Sequence, residues 1–370
     1  MKKNMLLLIF VSLVLSVSGS SLCDVSGQSE TNSTRASSDV LFNEENFPDP
    51  NFRKYLQDTY SDITADGIFT AEEISSIYQI TVNELSISTL KGIEHFTALL
   101  TLQCYDNQLT SLDVSQNSSL ILLWCNNNQL SSLDVSKNSY LLDLWCYNNQ
   151  LSSLDVSKNT SLTEFECFGN QLSSLDVSKN TSLVRLGCSG NQLSSLDVSK
   201  NTSLAELWCD WNQLSSLDVS QNTSLEYLSC DNNQLSSLDV SKNTGLKEMY
   251  CYMNQIKDEG METLVNGLPQ GQVGEENWEN VLCIVSTDSN EGNVCTADQV
   301  STIRAKGWTP YCYNDILNET VEYTGAPTGI KDIPQMPKKH EGPVYDVRGK
   351  RLDKPRKGLN IIGKYKVVIK

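Results

Sequence analysis

Residues 149–169 read NQLSSLDVSKNTSLTEFECFG, and residues 170–190 read NQLSSLDVSKNTSLVRLGCSG. Working outward, Leu99, Leu120, Leu141, Leu162, Leu183, Leu204, Leu225 and Leu246 stand 21 residues apart, in eight registers without an insertion. The cysteines from Cys104 to Cys251 and the asparagines from Asn107 to Asn254 keep the same step. In L-x-x-L-x-C the second leucine and the cysteine are two residues apart, so both point to one face of a strand. Stacked copies pair as a parallel ladder at about 4.8 Å per repeat, and eight of them make a sheet roughly 35 Å long.

A fixed period of this length carrying LxxLx(L/C)xxN is the leucine-rich-repeat signature. The expected fold is a leucine-rich-repeat solenoid with a curved parallel β-sheet. Asparagine at each corner can satisfy the turning backbone through its side-chain amide and so form a ladder of its own. The second half of the unit, LSSLDVS, adds three apolar positions on the far wall. No segment there is long enough for a regular helix, so the convex side is expected to be extended or 3-10. One coil cannot bury its own core, so both ends require caps.

The cysteine column has two readings. In-register parallel neighbours have parallel Cα–Cβ vectors and Cβ atoms about 4.8 Å apart, whereas a disulfide wants about 3.8 Å and converging vectors. A column of small buried hydrophobes is therefore favoured over disulfides. Of the twelve cysteines, one lies in the leader and eight in the column, which leaves Cys283, Cys295 and Cys312. One disulfide among these three is expected in an exported chain, with the pair left open.

The chain has 370 residues, a formal charge of −17 and only two histidines. The acidity argues against nucleic acid, and so few imidazoles leave little for histidine catalysis. Lys2 and Lys3 precede an apolar run from Met5 to Val17 and the small residues Ser18, Gly19 and Ser20. This is the pattern of a secretory signal peptide, expected over 1–20, and the run is short for a membrane span. Leu22 before Cys23 speaks against a lipidated cysteine. Residues 21–40 read as a flexible polar leader.

Residues 41–84 are expected to form a helical N-terminal cap, 85–256 the repeats and 257–325 an α/β C-terminal cap. Asp49 followed by Pro50 starts a helix in the favoured way. Asp62, Thr64, Asp66 and Glu73, with Gly67 and Phe69 between, match much of an EF-hand loop, although Thr64 stands where a carboxylate or amide is usual. A calcium site there is set beside a metal-free cap, and the metal-free cap is favoured; no other cofactor is expected. After Asn254 the period breaks into helix 258–268, strand 279–287, helix 296–307 and strand 308–314. Residues 326–343 form a linker with four prolines, and 344–370 a tail with nine basic and two acidic residues.

Apart from five places per unit the copies are nearly identical. Those are the second, third, fifth, seventh and eighth positions counted from the leading leucine, and the third, fifth and seventh face away from the core. The fifth column holds Trp124, Trp145, Trp208 and Tyr250, and the seventh holds Tyr105, Tyr147, Phe168 and Tyr252; Trp211 sits at an eighth. Acids intersperse them: Asp143, Glu164, Glu166, Glu206, Asp210, Asp231 and Glu248. Stacking between strands accounts for part of this pattern, but core stability does not require tryptophans outside, and contiguous exposed aromatics mark interaction sites. The Asp column from Asp113 to Asp239 reads as turn chemistry, and the Asn-x-Ser/Thr triplets at Asn117, Asn159, Asn180, Asn201 and Asn222 as by-products of the repeat. His95 reads as structural.

The 21-residue repeat with cysteine in its strand, together with the helix–loop–helix cap, resembles the cysteine-ladder branch of the internalin family of bacterial surface proteins over about 41–325. In that family the truncated EF-hand cap covers the first repeat without a metal. At the other end, TGIKDI (328–333), VYDVRGKRL (344–352) and KGLNIIGKYKVVIK (357–370) resemble the C-terminal tails of type IX secretion cargo, with Asn360 where an aromatic is commoner. Both resemblances imply a secreted or cell-surface protein without a transmembrane segment once the signal is removed. The expected function is non-enzymatic: adhesin-like binding of a host or neighbouring-cell protein through the concave face, with glycan binding or a plain surface spacer as alternatives.

Overall fold

The computed structural model describes residues 39–61, 65–271, 280–314, 318–326, 344–346, 351–352, 358–362 and 365–369, all within the compact unit Ser38–Lys370. The signal and leader expected over 1–40 lie almost wholly outside the described residues, as do the 327–343 part of the linker and Asp62 and Thr64.

The chain enters through β1 (Val40–Leu41) and α1 (Pro50–Thr59). Asp49 caps α1, its Oδ1 accepting from the backbone N–H of Asn51 and Phe52. Its Oδ2 accepts from Ser88, so the same carboxylate ties the cap to the first coil. Next come β2 (Ile68–Phe69), antiparallel to β1, and α2 (Ala71–Ser76). Phe47, Phe52, Phe69 and Phe96 pack as a fully buried cluster, with His95 against Phe47 at 5.9 Å in the structural role expected of it.

From β3 (Gln79–Thr81) the parallel sheet begins. It runs through β4 (Thr101–Gln103), β5 (Leu122–Trp124), β6 (Asp143–Trp145), β7 (Glu164–Glu166), β8 (Arg185–Gly187), β9 (Glu206–Trp208), β10 (Tyr227–Ser229) and β11 (Glu248–Tyr250). Every partner in the repeats is offset by 21 residues, as in Leu123↔Leu144 and Leu207↔Leu228. No helix interrupts the segments between β4 and β11. The sheet does not stop with the repeats. After α3 (Asp258–Gly267), β12 (Val281–Ser286) joins β11 in parallel. After α4 (Ala297–Ala305), β13 (Thr309–Asn314) joins β12, and antiparallel β14 (Glu319–Glu322) ends a sheet of twelve strands. A capping box between Thr296 and Gln299 opens α4.

The tail carries β15 (Val344–Asp346), β16 (Arg351–Leu352), β17 (Gly358–Ile362) and β18 (Tyr365–Ile369) in one antiparallel sheet ordered β16-β15-β17-β18.

The core is a set of columns. In one repeat Leu141, Leu144, Cys146, Leu151 and Val156 are fully buried, and the other repeats follow. Burying one such leucine contributes about 1.5–3 kcal/mol. All eight column cysteines are free, buried thiols, and burial holds them well protonated; the Cys125 thiol is pushed up to about 12. Cys283 and Cys295 are also free and buried, so neither takes part in the disulfide expected among Cys283, Cys295 and Cys312.

Two asparagine ladders brace the coils. Asn149 donates through Nδ2 to the carbonyls of Cys125 and Cys146 at 3.1 and 3.0 Å, while its Oδ1 accepts from Leu130 N–H at 3.0 Å. Asn128 through Asn254 repeat that set. The second ladder was not expected. Asn117, Asn159, Asn180, Asn201 and Asn222, read as sequence by-products, are fully buried and donate to a valine and an asparagine carbonyl of the preceding coil. In the first of them the partners are Ile93 and Phe96. On the convex side Asp134 Oδ1 accepts from Ser136 N–H at 2.8 Å, and its homologues do the same, which is the turn chemistry expected of that column.

Candidate binding surface

Alternation places the third and fifth residues of each repeat on the concave wall, because the fourth and sixth are buried. Wall aromatics meet across neighbouring coils, some within one column and some between columns. Trp124 and Trp145 stack at 4.2 Å with planes 9° apart, and Tyr147 stacks on Phe168 at 4.1 Å and 12°. Tyr105 tilts against Trp124, and Trp145 against Tyr147, which joins these five rings into one run over β4–β7. A second run follows on β9–β13: Trp208 against Tyr227, Tyr227 against Tyr250, and Tyr252 stacked on Tyr313 at 4.8 Å.

Most of these rings are half-buried against one another. Trp211 differs, being 63% exposed. Its column turns the chain with positive φ at every repeat, using Asp106, Asn127, Asn148, Gly169, Gly190, Trp211, Asn232 and Met253. Glycine and asparagine adopt that conformation readily and tryptophan does not, so an exposed Trp211 at φ 52° is held there against local preference.

Between the two aromatic runs one coil carries no aromatic ring. Its outward residues are Arg185, Gly187 and Ser189, with Gly190 at the turn. A β-carbon on Gly187 would collide with the Glu166 carboxylate, which occupies the space over the glycine. Ser189 Oγ donates to Asp210 Oδ1 across the next step.

Around this gap lie four carboxylates and one guanidinium. Arg185 Nη2 pairs with Glu206 at 3.0 Å and Nη1 approaches Glu164 at 3.9 Å, while the guanidinium carbon lies 5.6 Å from the Trp208 ring centre. Asp143 is 5% exposed; its Oδ2 accepts from Trp124 Nε1 at 3.1 Å and its Oδ1 has no donor. The buried Trp145 Nε1 has no acceptor. Burial, then the charge of Glu164, pushes Asp143 up to about 7 against the opposing pull of Trp124 and Arg185. Glu166 is pushed up to about 7 by burial and by Glu164, Asp143 and Glu206, with Arg185 opposing. Further along, Asp231 rises to about 6 by burial and the charge of Asp210, although Ser229 and Asn232 donate to it at 2.7 and 2.8 Å.

The nine aromatic and seven acidic wall residues singled out from the sequence all lie in or just after strands β4–β11. The structure adds Arg185, Tyr227 and Tyr313, which sequence reading passed over. Tyr227 stands in the third column, where the neighbours are mostly charged, and Tyr313 lies beyond the repeat. At the N-terminal cap, Glu73 Oε2 accepts from Thr70 N–H and Oγ1 in a capping box, and Asp66 Oδ1 accepts from Ile68 N–H. Among the described residues no group of three or more His, Cys, Asp or Glu is placed to hold a metal, and no helix is long and apolar enough to cross a membrane.

No family model and no curated protein matches the chain. Solved structures do. The functional domain of InlJ from Listeria monocytogenes, which includes a cysteine ladder, is 30% identical with a TM-score of 0.53, over 69% of this chain and 60% of that one. The chain thus spans less than two thirds of that structure. Internalin C2 from the same organism is 18% identical with a TM-score of 0.51, over 57% of this chain and 96% of that one, and it shares the fold. Both of these structural neighbours are internalins.

Proposed function

We propose that the chain is an exported, adhesin-like recognition protein that binds a host or neighbouring-cell protein through its concave wall. The carrying observation is the pair of aromatic runs on the outward face of the sheet, where the variation between repeats is concentrated. Stacked rings are rigid, so little side-chain entropy is lost when a partner covers them, and such anchors dominate protein interfaces. Trp211, exposed and in an unfavourable backbone conformation, supports the same reading. Export rests on the signal-like residues 1–20 and the basic tail 344–370. A metal-free N-terminal cap fits the employment of Glu73 in capping α2.

The test is adhesion of the purified chain to intact host or neighbouring cells, beside a Trp124→Ala/Trp145→Ala/Trp208→Ala variant whose fold is checked by circular dichroism. Adhesion should be abolished in the variant and by protease treatment of the cells. Loss on glycosidase treatment alone would favour a glycan, and equal adhesion of variant and wild type would remove the concave wall from consideration.

A further inference from the structure

The second position of each repeat varies too, and it lies on one rim of the wall, a step before the outward columns. Its residues form an unbroken line from Tyr78 to Ala205, because each backbone N–H donates to the carbonyl of its counterpart one coil earlier at 2.8–2.9 Å. Tyr78 begins the line, 45% exposed. Leu100, Ile121, Leu142, Thr163, Val184 and Ala205 continue it, Val184 43% exposed and the others half-buried. The one hydroxyl among these six is engaged: Thr163 Oγ1 donates to the Leu142 carbonyl at 3.1 Å, which leaves the methyl as its free group. Beyond Ala205 the same column carries Glu226 and Lys247, joined by a salt bridge at 3.1 Å. The fold thus accepts full charge at this position, and nothing in the coil requires the preceding six to be almost wholly apolar. Beside the line Tyr140 is 67% exposed, two residues before Leu142, where both neighbouring coils have serine. A contiguous apolar strip on a strongly acidic chain marks an interaction site.

Spacing and charge select its occupant. Six steps of about 4.8 Å make the line roughly 29 Å long. An α-helix laid along it offers an apolar side chain at each turn of about 5.4 Å, so about 19 residues span the line and stay within half a spacing of register on either side of the centre. An extended strand repeats its side chains on one face every ~6.7 Å and falls out of step within about two coils. A second copy of the chain would match the spacing, but charge opposes it. The column next to the line holds Glu164, Glu206 and Glu248 against one cation, Arg185, which already pairs with the first two. Two copies joined line to line would bring like charges together, whereas a helix with lysine or arginine beside its apolar row complements them.

We infer that this rim docks an amphipathic α-helix of about 19 residues from a partner protein, its apolar row seated on the line from Tyr78 to Ala205 and a basic row turned toward the third column. The docking line is separate from the concave wall and stands even if the wall binds nothing.

The test uses the full chain and a labelled, alanine-based helical peptide of about 19 residues, with leucines at every third and fourth position along one face and lysines flanking them. A control peptide has the same composition with the leucines dispersed around the helix. Binding is followed by fluorescence polarisation at about 0.15 M salt. The amphipathic peptide should bind, and the control at least about ten-fold more weakly. Ile121→Gln/Leu142→Gln/Val184→Gln should weaken binding at least about ten-fold while its buried thiols stay shielded, as Glu226 and Lys247 in the same column lead one to expect. Glu226→Leu/Lys247→Leu lengthens the line by two coils and should tighten binding of a peptide two turns longer by about three-fold or more. Asp176→Asn/Asp197→Asn on the convex side should leave binding unchanged. Absence of binding, equal binding of the control peptide, or unchanged affinity in the triple glutamine variant would overturn the assignment. A parent that sediments as a dimer while the triple variant is monomeric would give the line to a second copy and overturn the helix. Flotation of the parent, but not the triple variant, with phosphatidylcholine vesicles would give it to lipid and overturn the helix likewise.

Discussion

The Glu166 carboxylate lies over the α-carbon of Gly187, where a side chain would otherwise begin. The contact joins neighbouring coils through a flexible carboxylate end and not through backbone, so the glycine serves the wall and not the turn. Gly187 is not among the positive-φ residues. Gly187→Ala is therefore expected to fold with stability within about 0.5 kcal/mol of the parent, since only a side-chain tip must move. Glu166 should swing toward solvent, and its titration midpoint, followed by NMR, should fall toward the ordinary carboxylate value. A loss of several kcal/mol in urea denaturation would show that the glycine is required by the backbone.

The corner ladder predicts a large and local asymmetry. Asn170 donates to the carbonyls of Cys146 and Cys167 and accepts from Leu151 N–H, all three buried. Asn170→Ala strands those groups away from water and is expected to cost about 3 kcal/mol. Asp155 also bonds to a backbone N–H, but at the exposed surface, where water replaces it. Asp155→Ala should cost well under 1 kcal/mol, and equal losses in the two variants by urea denaturation would refute a structural role for the ladder.

Thiol chemistry gives a second check on the interior. All eleven described cysteines are buried, and burial holds the column thiols in the unreactive protonated form. A chromogenic disulfide reagent is expected to label none of the eleven in the native chain at pH 8 and all of them in guanidinium. A native count that falls short by two after denaturation without reductant would instead reveal a disulfide, and Cys283, Cys295 and Cys312 are where to look.

The solenoid was legible because a 21-residue period survives any local ambiguity: a leucine two residues before a cysteine must share its face, and the stack follows. The first asparagine ladder followed from the corner it occupies. The second did not, since Asn159 sits in a Ser/Thr-rich run that looks like surface, and only the superposition of coils buries it. The wall was legible as columns of variation, but its electrostatics were not. Arg185 is a single cation in one repeat, and its hold on Glu164 and Glu206 depends on reach across 21 residues in each direction. Likewise the gap at Gly187 has no meaning until Glu166 is seen to fill it.

The same carboxylates make stability depend on pH in a stated direction. Asp143 and Glu166 are raised from 3.8 and 4.5 to about 7, principally by burial. Glu166 faces Asp143 on β6, Glu164 on its own strand, Arg185 on β8 and Glu206 on β9, and its charge in turn reaches Tyr147; Asp143 faces Glu164, Arg185 and the Trp124 indole N–H. Between about pH 5 and 7 the folded chain holds protons that the unfolded chain has lost, so stability falls as pH rises through that window. Below both pairs of values the two groups contribute no pH dependence, and above about pH 8 their full penalty is present. At about 1.4 kcal/mol per pKa unit the penalty is about 3–4 kcal/mol for each taken alone, with less than additive effect because Glu164 couples them. Asp231 and Glu291 add slopes of the same sign, so the comparison must be with a variant and not with a flat line. Asp143→Asn/Glu166→Gln keeps an acceptor for Trp124 and removes both titrations. The double variant should gain stability over the parent at pH 8 and match it within about 1 kcal/mol at pH 4, measured by urea denaturation at each pH. A parent and variant whose profiles run parallel from pH 5 to 8 would mean that neither carboxylate is protonated in the folded chain.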